Sequence, residues 1–84
     1  MGIVLDQLQK TAVGILMESG VVGGEELMAK TKKTDSELYN ALTKLISDGL
    51  VHSNTVLYAP EVVPGAYFNL KPSALGLAKD LISG

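Results

Sequence analysis

The chain has 84 residues, a mass of 8.8 kDa and a net charge of −2, with 46% hydrophobic and 19% charged residues. That composition excludes an intrinsically disordered polymer, and no apolar run approaches the ~18 residues of a membrane span. The absence of Cys excludes disulfide scaffolds, thiolate metal sites and thiol catalysis. The N-terminal MGIVLDQLQK lacks the basic-then-apolar layout of a signal peptide, so the expected setting is cytoplasmic. One domain over 1–84 is expected, because nothing in the chain repeats or is long and polar enough to divide it. All seven cations are Lys, and with pI ≈ 5.2 no global basic footprint exists. Any anion-binding surface must come from local clustering, and Lys30, Lys32 and Lys33 form the one basic cluster.

The apolar residues Leu5, Leu8, Ala12, Ile15 and Leu16 recur at helical spacing and predict a first helix over about 4–18. Gln7, Lys10 and Thr11 lie off that stripe, and Ser19-Gly20 reads as its stop. Val13 and Met17 also lie off the stripe and are expected to be partly exposed on a monomer. Val21 and Val22 form a short extended piece. A second helix is predicted over about 24–30, with Glu25 and Glu26 at the positive end of its dipole.

The third helix has the clearest start. Thr34-Asp35-Ser36-Glu37 fits a capping box, in which Thr34 caps an amide and Glu37 reaches back. Leu38, Ala41, Leu42, Leu45 and Ile46 form its buried face. Gly49 ends it as a left-handed cap, and Leu50 folds back on the last turn. Residues 50–58 favour strand, Pro60 and Pro64-Gly65 punctuate a loop, and 66–70 form the returning strand of a hairpin. Pro72 opens a last helix over about 73–82, whose Leu75, Leu77, Ala78, Leu81 and Ile82 cover a broad arc.

No catalytic constellation can be assembled, so an enzyme is not expected. His52 is the only histidine and has no ligating partners, so no metal or other cofactor is expected. Glu25 and Glu26 are adjacent and therefore diverge around a helix, which suits a helix start and not an acid–base pair. The glycine-rich 20–24 stretch lacks the Gly-Lys-Ser/Thr ending of a phosphate loop. Tyr58, Tyr67 and Phe68 read as hairpin packing, since base-stacking platforms come with a basic groove.

Short helix, polar turn, capped helix ending in Gly-Leu-Val, then a hairpin: this order in GEELMAKTKKTDSELYNALTKLISDGLV (24–51) resembles the winged helix-turn-helix of small MarR-like and PadR-like regulators. The strand 67–70 running into Pro72-Ser73-Ala74-Leu75-Gly76 resembles that family's second wing strand and last helix. The resemblance implies an α+β, mostly helical fold, with a three-helix core, a two-stranded β-hairpin wing and a C-terminal helix. It implies a transcription regulator that binds double-stranded DNA, with the helix at about 35–48 in the major groove. On that helix the face opposite the leucines carries Ser36, Asn40, Thr43, Lys44 and Ser47, flanked by Tyr39. Asn40 is suited to an adenine edge, and Ser36 and Thr43 to base or phosphate. Lys32, Lys33, Lys44 and Lys71 are the candidates for phosphate contact. A plain reading stands beside each assignment: the lysines also suit a solvated turn, and every amphipathic helix has a polar face.

Two features point elsewhere. The family commonly carries Arg on the third helix and at the wing tip, whereas here the tip, 59–65, is apolar with a single acid. An apolar tip suits a protein partner, which gives the alternative of a winged-helix interaction module using Val62 and Val63. The apolar surplus at Val13, Met17, Leu77 and Leu81 suits a homodimer joined through the terminal helices, against the plainer reading of a generously packed core.

Overall fold

The computed structural model describes residues 3–83. Its order is α1 (Gln7–Ser19), β1 (Val22–Gly23), α2 (Gly24–Thr31), α3 (Asp35–Ser47), β2 (Val51–Ser53), β3 (Tyr67–Leu70) and α4 (Leu75–Ser83). Two 3-10 turns, Pro60–Gly65 and Pro72–Ala74, precede β3 and α4. The fold is α+β, with four helices and a small antiparallel sheet in the order β1-β3-β2. The expected hairpin is therefore a three-stranded sheet. Val22 pairs with Phe68 and Gly23 with Tyr67, while Val51 pairs with Leu70 and Ser53 with Phe68.

Local chemistry sets the helix ends. Asp6 caps α1: the Gln9 amide donates to Asp6 Oδ1 at 2.8 Å, and the Asp6 amide donates to Gln9 Oε1 at 2.8 Å. The helix thus begins later than the apolar stripe predicts. Gln9 is buried, and this box satisfies its side-chain oxygen. In α3 the Glu37 amide donates to Thr34 Oγ1 at 3.2 Å, and the Thr34 amide donates to Glu37 Oε1 at 3.2 Å. Gly49 takes φ 81°, a left-handed value that disfavours any side chain. Beyond it the Leu50 amide donates to the Leu45 carbonyl at 3.0 Å, and Leu50 is buried.

The core lies where α1 meets α2, α3, α4 and the sheet. Its largest fully buried side chains include Phe68, Leu16, Leu27, Leu38, Leu42 and Leu45. Burying one such side chain contributes about 1.5–3 kcal/mol. Because α1 is contacted by three other helices and by β3, it buries more than one stripe. Val13, expected to be partly exposed, is fully buried at 0%. It is core and not a dimer contact. Met17 is half-buried against the same core, and so are Leu8 and Ile15 of the α1 stripe and Ile46, predicted on the buried face of α3.

The segment between β2 and β3 departs furthest from expectation. β2 ends at Ser53, so the strand is much shorter than 50–58. The connection closes on itself where the Asn54 amide donates to the Tyr67 carbonyl at 3.1 Å and the Tyr67 amide to Asn54 Oδ1 at 2.9 Å. It then folds back, and its 60–65 turn packs on α2 and α3. Val63 is fully buried and Val62 half-buried, so the tip is a lid on the core. Val63 as a docking residue is therefore overturned. The lid seats closely because Gly24 has no side chain: a β-carbon there would lie on top of the Val63 carbonyl.

Candidate nucleic-acid interface

The α2–α3 corner is built by one unusual residue. Lys32 takes φ 58°, a left-handed conformation, and its amide donates to the Met28 carbonyl at 2.8 Å. This closes α2, and the chain reaches the Thr34 cap of α3 two residues later. A non-glycine residue held there costs on the order of 1 kcal/mol. The side chain of Lys32 is exposed.

The core-facing positions of α3 are Leu38, Ala41, Leu42 and Leu45. The opposite row is Ser36, Asn40, Thr43 and Ser47. Ser36, Asn40 and Ser47 are exposed, and Thr43 is half-buried. The Thr43 hydroxyl is already engaged, donating to the carbonyls of Tyr39 at 2.8 Å and Asn40 at 3.2 Å. Tyr39 packs against the core at the flank. Asn40 and Lys44 border a shallow hollow shared with Val4, Leu5 and Leu8, which places that side of α3 beside the start of α1. Lys71 follows β3, where its amide donates to the Leu50 carbonyl at 2.9 Å, and it shares a groove with Thr43 and Ser47.

Of the four cations expected to meet phosphate, Lys33 and Lys44 are paired, and so is the neighbouring Lys30. Lys30 Nζ lies 3.0 Å from Glu26, Lys33 Nζ 3.9 Å from Glu37, and Lys44 Nζ 3.0 Å from Asp48, each at helical i,i+4 spacing. Such exposed pairs add little stability, but they neutralise the field that a phosphate would meet. Hydrogen bonds from the Thr34 amide and hydroxyl, with a smaller contribution from Lys33, hold the Glu37 carboxyl below its ordinary value. Glu37 therefore keeps its negative charge near the interface at neutral pH. Among the described residues, Lys10, Lys32, Lys71 and Lys79 form no ion pair. Of the cluster around the corner, only Lys32 is uncompensated. The sequence carries this signal, since all three pairs sit at i,i+4.

Outside α3 apolar side chains are exposed at several places, Val4 and Val21 among them. Along α4, Leu77 is 46% and Leu75 40% exposed, with Leu81 and Ile82 half-buried. Leu81 shares a hollow with Ile3, Val4 and Leu5, edged by Lys10 and Asp80. Beside β2, Val56 is 76% and Tyr58 77% exposed. His52 is exposed, and among the described residues no three His, Asp or Glu side chains gather as metal ligands. No helix among them is long and apolar enough to cross a membrane.

Compared with protein-family models, with curated proteins and with solved structures, the chain matches none.

Proposed function

We propose that the chain is a winged helix-turn-helix domain that binds double-stranded DNA, with α3 presented to the major groove. The observation that carries this reading is the outward row Ser36, Asn40 and Ser47, exposed on a helix set by a tight corner at Lys32. The order helix–strand–helix–helix–strand–strand–helix and the sheet order β1-β3-β2 support it. Neutral polar groups in this row suit base edges and phosphate oxygens alike. With the other corner lysines paired, Lys32 supplies the main electrostatic contact, and each protomer binds weakly. The second reading, a protein-binding module at the connection tip, has lost Val63 to the core and is not favoured.

Weak protomers gain from pairing, and the exposed leucines of α4 supply a surface for a homodimer through the terminal helices. Leu77 and Leu81 lie in that surface; Met17 lies near its far edge. Two copies double the phosphate contacts and present two α3 helices to one duplex. Sedimentation velocity tests this: Leu77→Lys is expected to give monomer where the parent chain gives dimer.

DNA binding is tested by following the amide resonances during titration with a mixed-sequence duplex, at about 50 mM and about 200 mM salt. Shifts are expected along α3 and at Lys32, fading at the higher salt. Lys32→Gly keeps the left-handed turn and removes the charge, so it isolates electrostatics from folding. It is expected to weaken binding to all sequences alike and to reduce the salt slope by about 1. Asn40→Ala is expected to relax preference at one base pair. Unshifted α3 amides at the lower salt would refute the reading.

A further inference from the structure

We propose that the 60–65 turn is a brace that sets the angle between α2 and α3, and that it positions α3 without itself touching the duplex. The second half of this proposal rests on the DNA-binding reading; the first half does not. The turn packs on α2 and α3 together. Its Val63 side chain is fully buried, and so is Ala66 just beyond it. Pro60 and Pro64 fix their own φ angles, which stiffens the turn. The Val62 amide donates to the Ala59 carbonyl and the Ala66 amide to the Val63 carbonyl, each at 3.1 Å, and these bonds close it. The two ends of the connection are clasped where the Asn54 and Tyr67 amides donate to each other's oxygens.

This arrangement holds α2 at both ends. At its start, Gly24 lies against the Val63 carbonyl, and the Gly24 amide donates to the Ala66 carbonyl at 2.8 Å. At its end, the left-handed Lys32 turns the chain toward α3. Between the two, Leu27 is the one fully buried apolar side chain of α2. Core packing alone therefore grips this short helix at a single point, and without the brace it would pivot about the Lys32 corner. The same segment is poorly made for phosphate. From Gly49 to Leu70 there is no Lys or Arg, and the one carboxylate, Glu61, is exposed on the turn and repels anions. Hydrogen bonds to base edges weaken steeply when misaligned. The brace thus acts on selectivity, by fixing the direction of the outward row of α3.

The test reads the free chain first. Residual dipolar couplings of the backbone amides are expected to fit one rigid frame across α1, α2 and α3 in the parent. In Val63→Ala the couplings of α2 should fall relative to those of α1 and α3. Asn54→Ala, which opens the clasp at the surface, should move them in the same direction. Val13→Ala, an equal truncation in the same core, should leave the frame intact. Couplings of α2 unchanged in both Val63→Ala and Asn54→Ala, or moved as far by Val13→Ala, would overturn the brace. On duplexes, Val63→Ala should lower affinity for a sequence selected from a random pool by about tenfold, the worth of one base contact. Affinity for unrelated sequences and the salt slope should stay as in the parent. Equal losses on selected and unrelated duplexes would overturn the effect on selectivity. Glu61→Lys should change neither affinity nor slope; a slope steeper by about 1 would place the turn against phosphate and overturn the second half. If the chain binds no duplex, the couplings still decide the brace, so the two failures are told apart.

Discussion

Gly24→Ala tests the seat of the connection on the helices. A β-carbon at Gly24 meets the backbone carbonyl of Val63, and Val63 Cγ1 lies 3.1 Å from it. Backbone atoms cannot swing aside as a flexible side chain does, so the whole 60–65 turn must lift. Overpacking of this kind costs about 1–3 kcal/mol. A second route bounds the cost independently. If the turn detaches altogether, the loss is the burial of Val63, about 1.5–3 kcal/mol. Alanine returns up to about 1 kcal/mol of helix propensity at the start of α2. The net destabilisation is therefore about 0.5–3 kcal/mol, which in a domain of this size lowers Tm by roughly 2–24 °C. Thermal and urea unfolding measure the change. Hydrogen exchange locates it, because the Gly24 amide donates to the Ala66 carbonyl at 2.8 Å and should lose protection first. A variant as stable as the parent, with the Gly24 amide equally protected, would refute the close approach.

Three further outcomes follow from the same packing. Gly14→Ala places a β-carbon in open space in the middle of α1, so it should raise stability by about 0.5–1 kcal/mol in urea unfolding. Val63→Ala should lower stability by about 2 kcal/mol; a neutral result would return Val63 to the surface. Thr34→Ala removes the cap of α3 and should cost about 1 kcal/mol near neutral pH. The Thr34 amide, which alanine keeps, and the Thr34 hydroxyl, which it removes, both lower the folded-state pKa of Glu37. The hydroxyl's share of the stabilisation is present above the ordinary carboxylate range and is lost as pH falls through and below it. The difference between parent and Thr34→Ala should therefore narrow on acidification, measured as Tm against pH.

Features whose determinants lie close together in the chain were legible. The ends of α3 depend on Thr34, Glu37, Gly49 and Leu50, and all four act as the sequence suggests. The start of α1 was legible in principle, since Asp6 and Gln9 have capping-box spacing, but Val4 and Leu5 extend the apolar stripe across it. The burial of Val13 was not legible from one amphipathic face, because α1 is enclosed from several sides. The fate of Val62 and Val63 depends on Gly24, a partner distant in sequence and recognisable only by its missing side chain. The candidate interface was legible as positions: Ser36, Asn40 and Ser47 face outward as the helical period requires. Its charge is not legible from the lysines alone, because carboxylates one turn away pair with three of them.

That charge pattern has a consequence for how the surface can work. Between Gly24 and Asp48, four lysines stand among five carboxylates: Glu25, Glu26, Asp35, Glu37 and Asp48. A surface balanced in this way attracts no polyanion from a distance, so association gains little from long-range steering. If the chain binds DNA as proposed, affinity comes from short-range contacts on the outward row of α3, and such contacts discriminate between sequences better than phosphate contacts do. Non-specific binding, which is almost wholly electrostatic, is suppressed further than specific binding. On that reading the pairs Glu26–Lys30, Lys33–Glu37 and Lys44–Asp48 favour selectivity over strength. The proposed homodimer would recover the strength forgone at one protomer, with the exposed leucines of α4 as its surface. Neutralising Glu26 and Asp48 as the double variant Glu26→Gln and Asp48→Asn frees Lys30 and Lys44 without moving the helix. In a fluorescence-anisotropy titration it should raise affinity for unrelated duplexes more than for a selected one, and steepen the salt dependence. Equal gains on both would show that the paired lysines never limited non-specific binding.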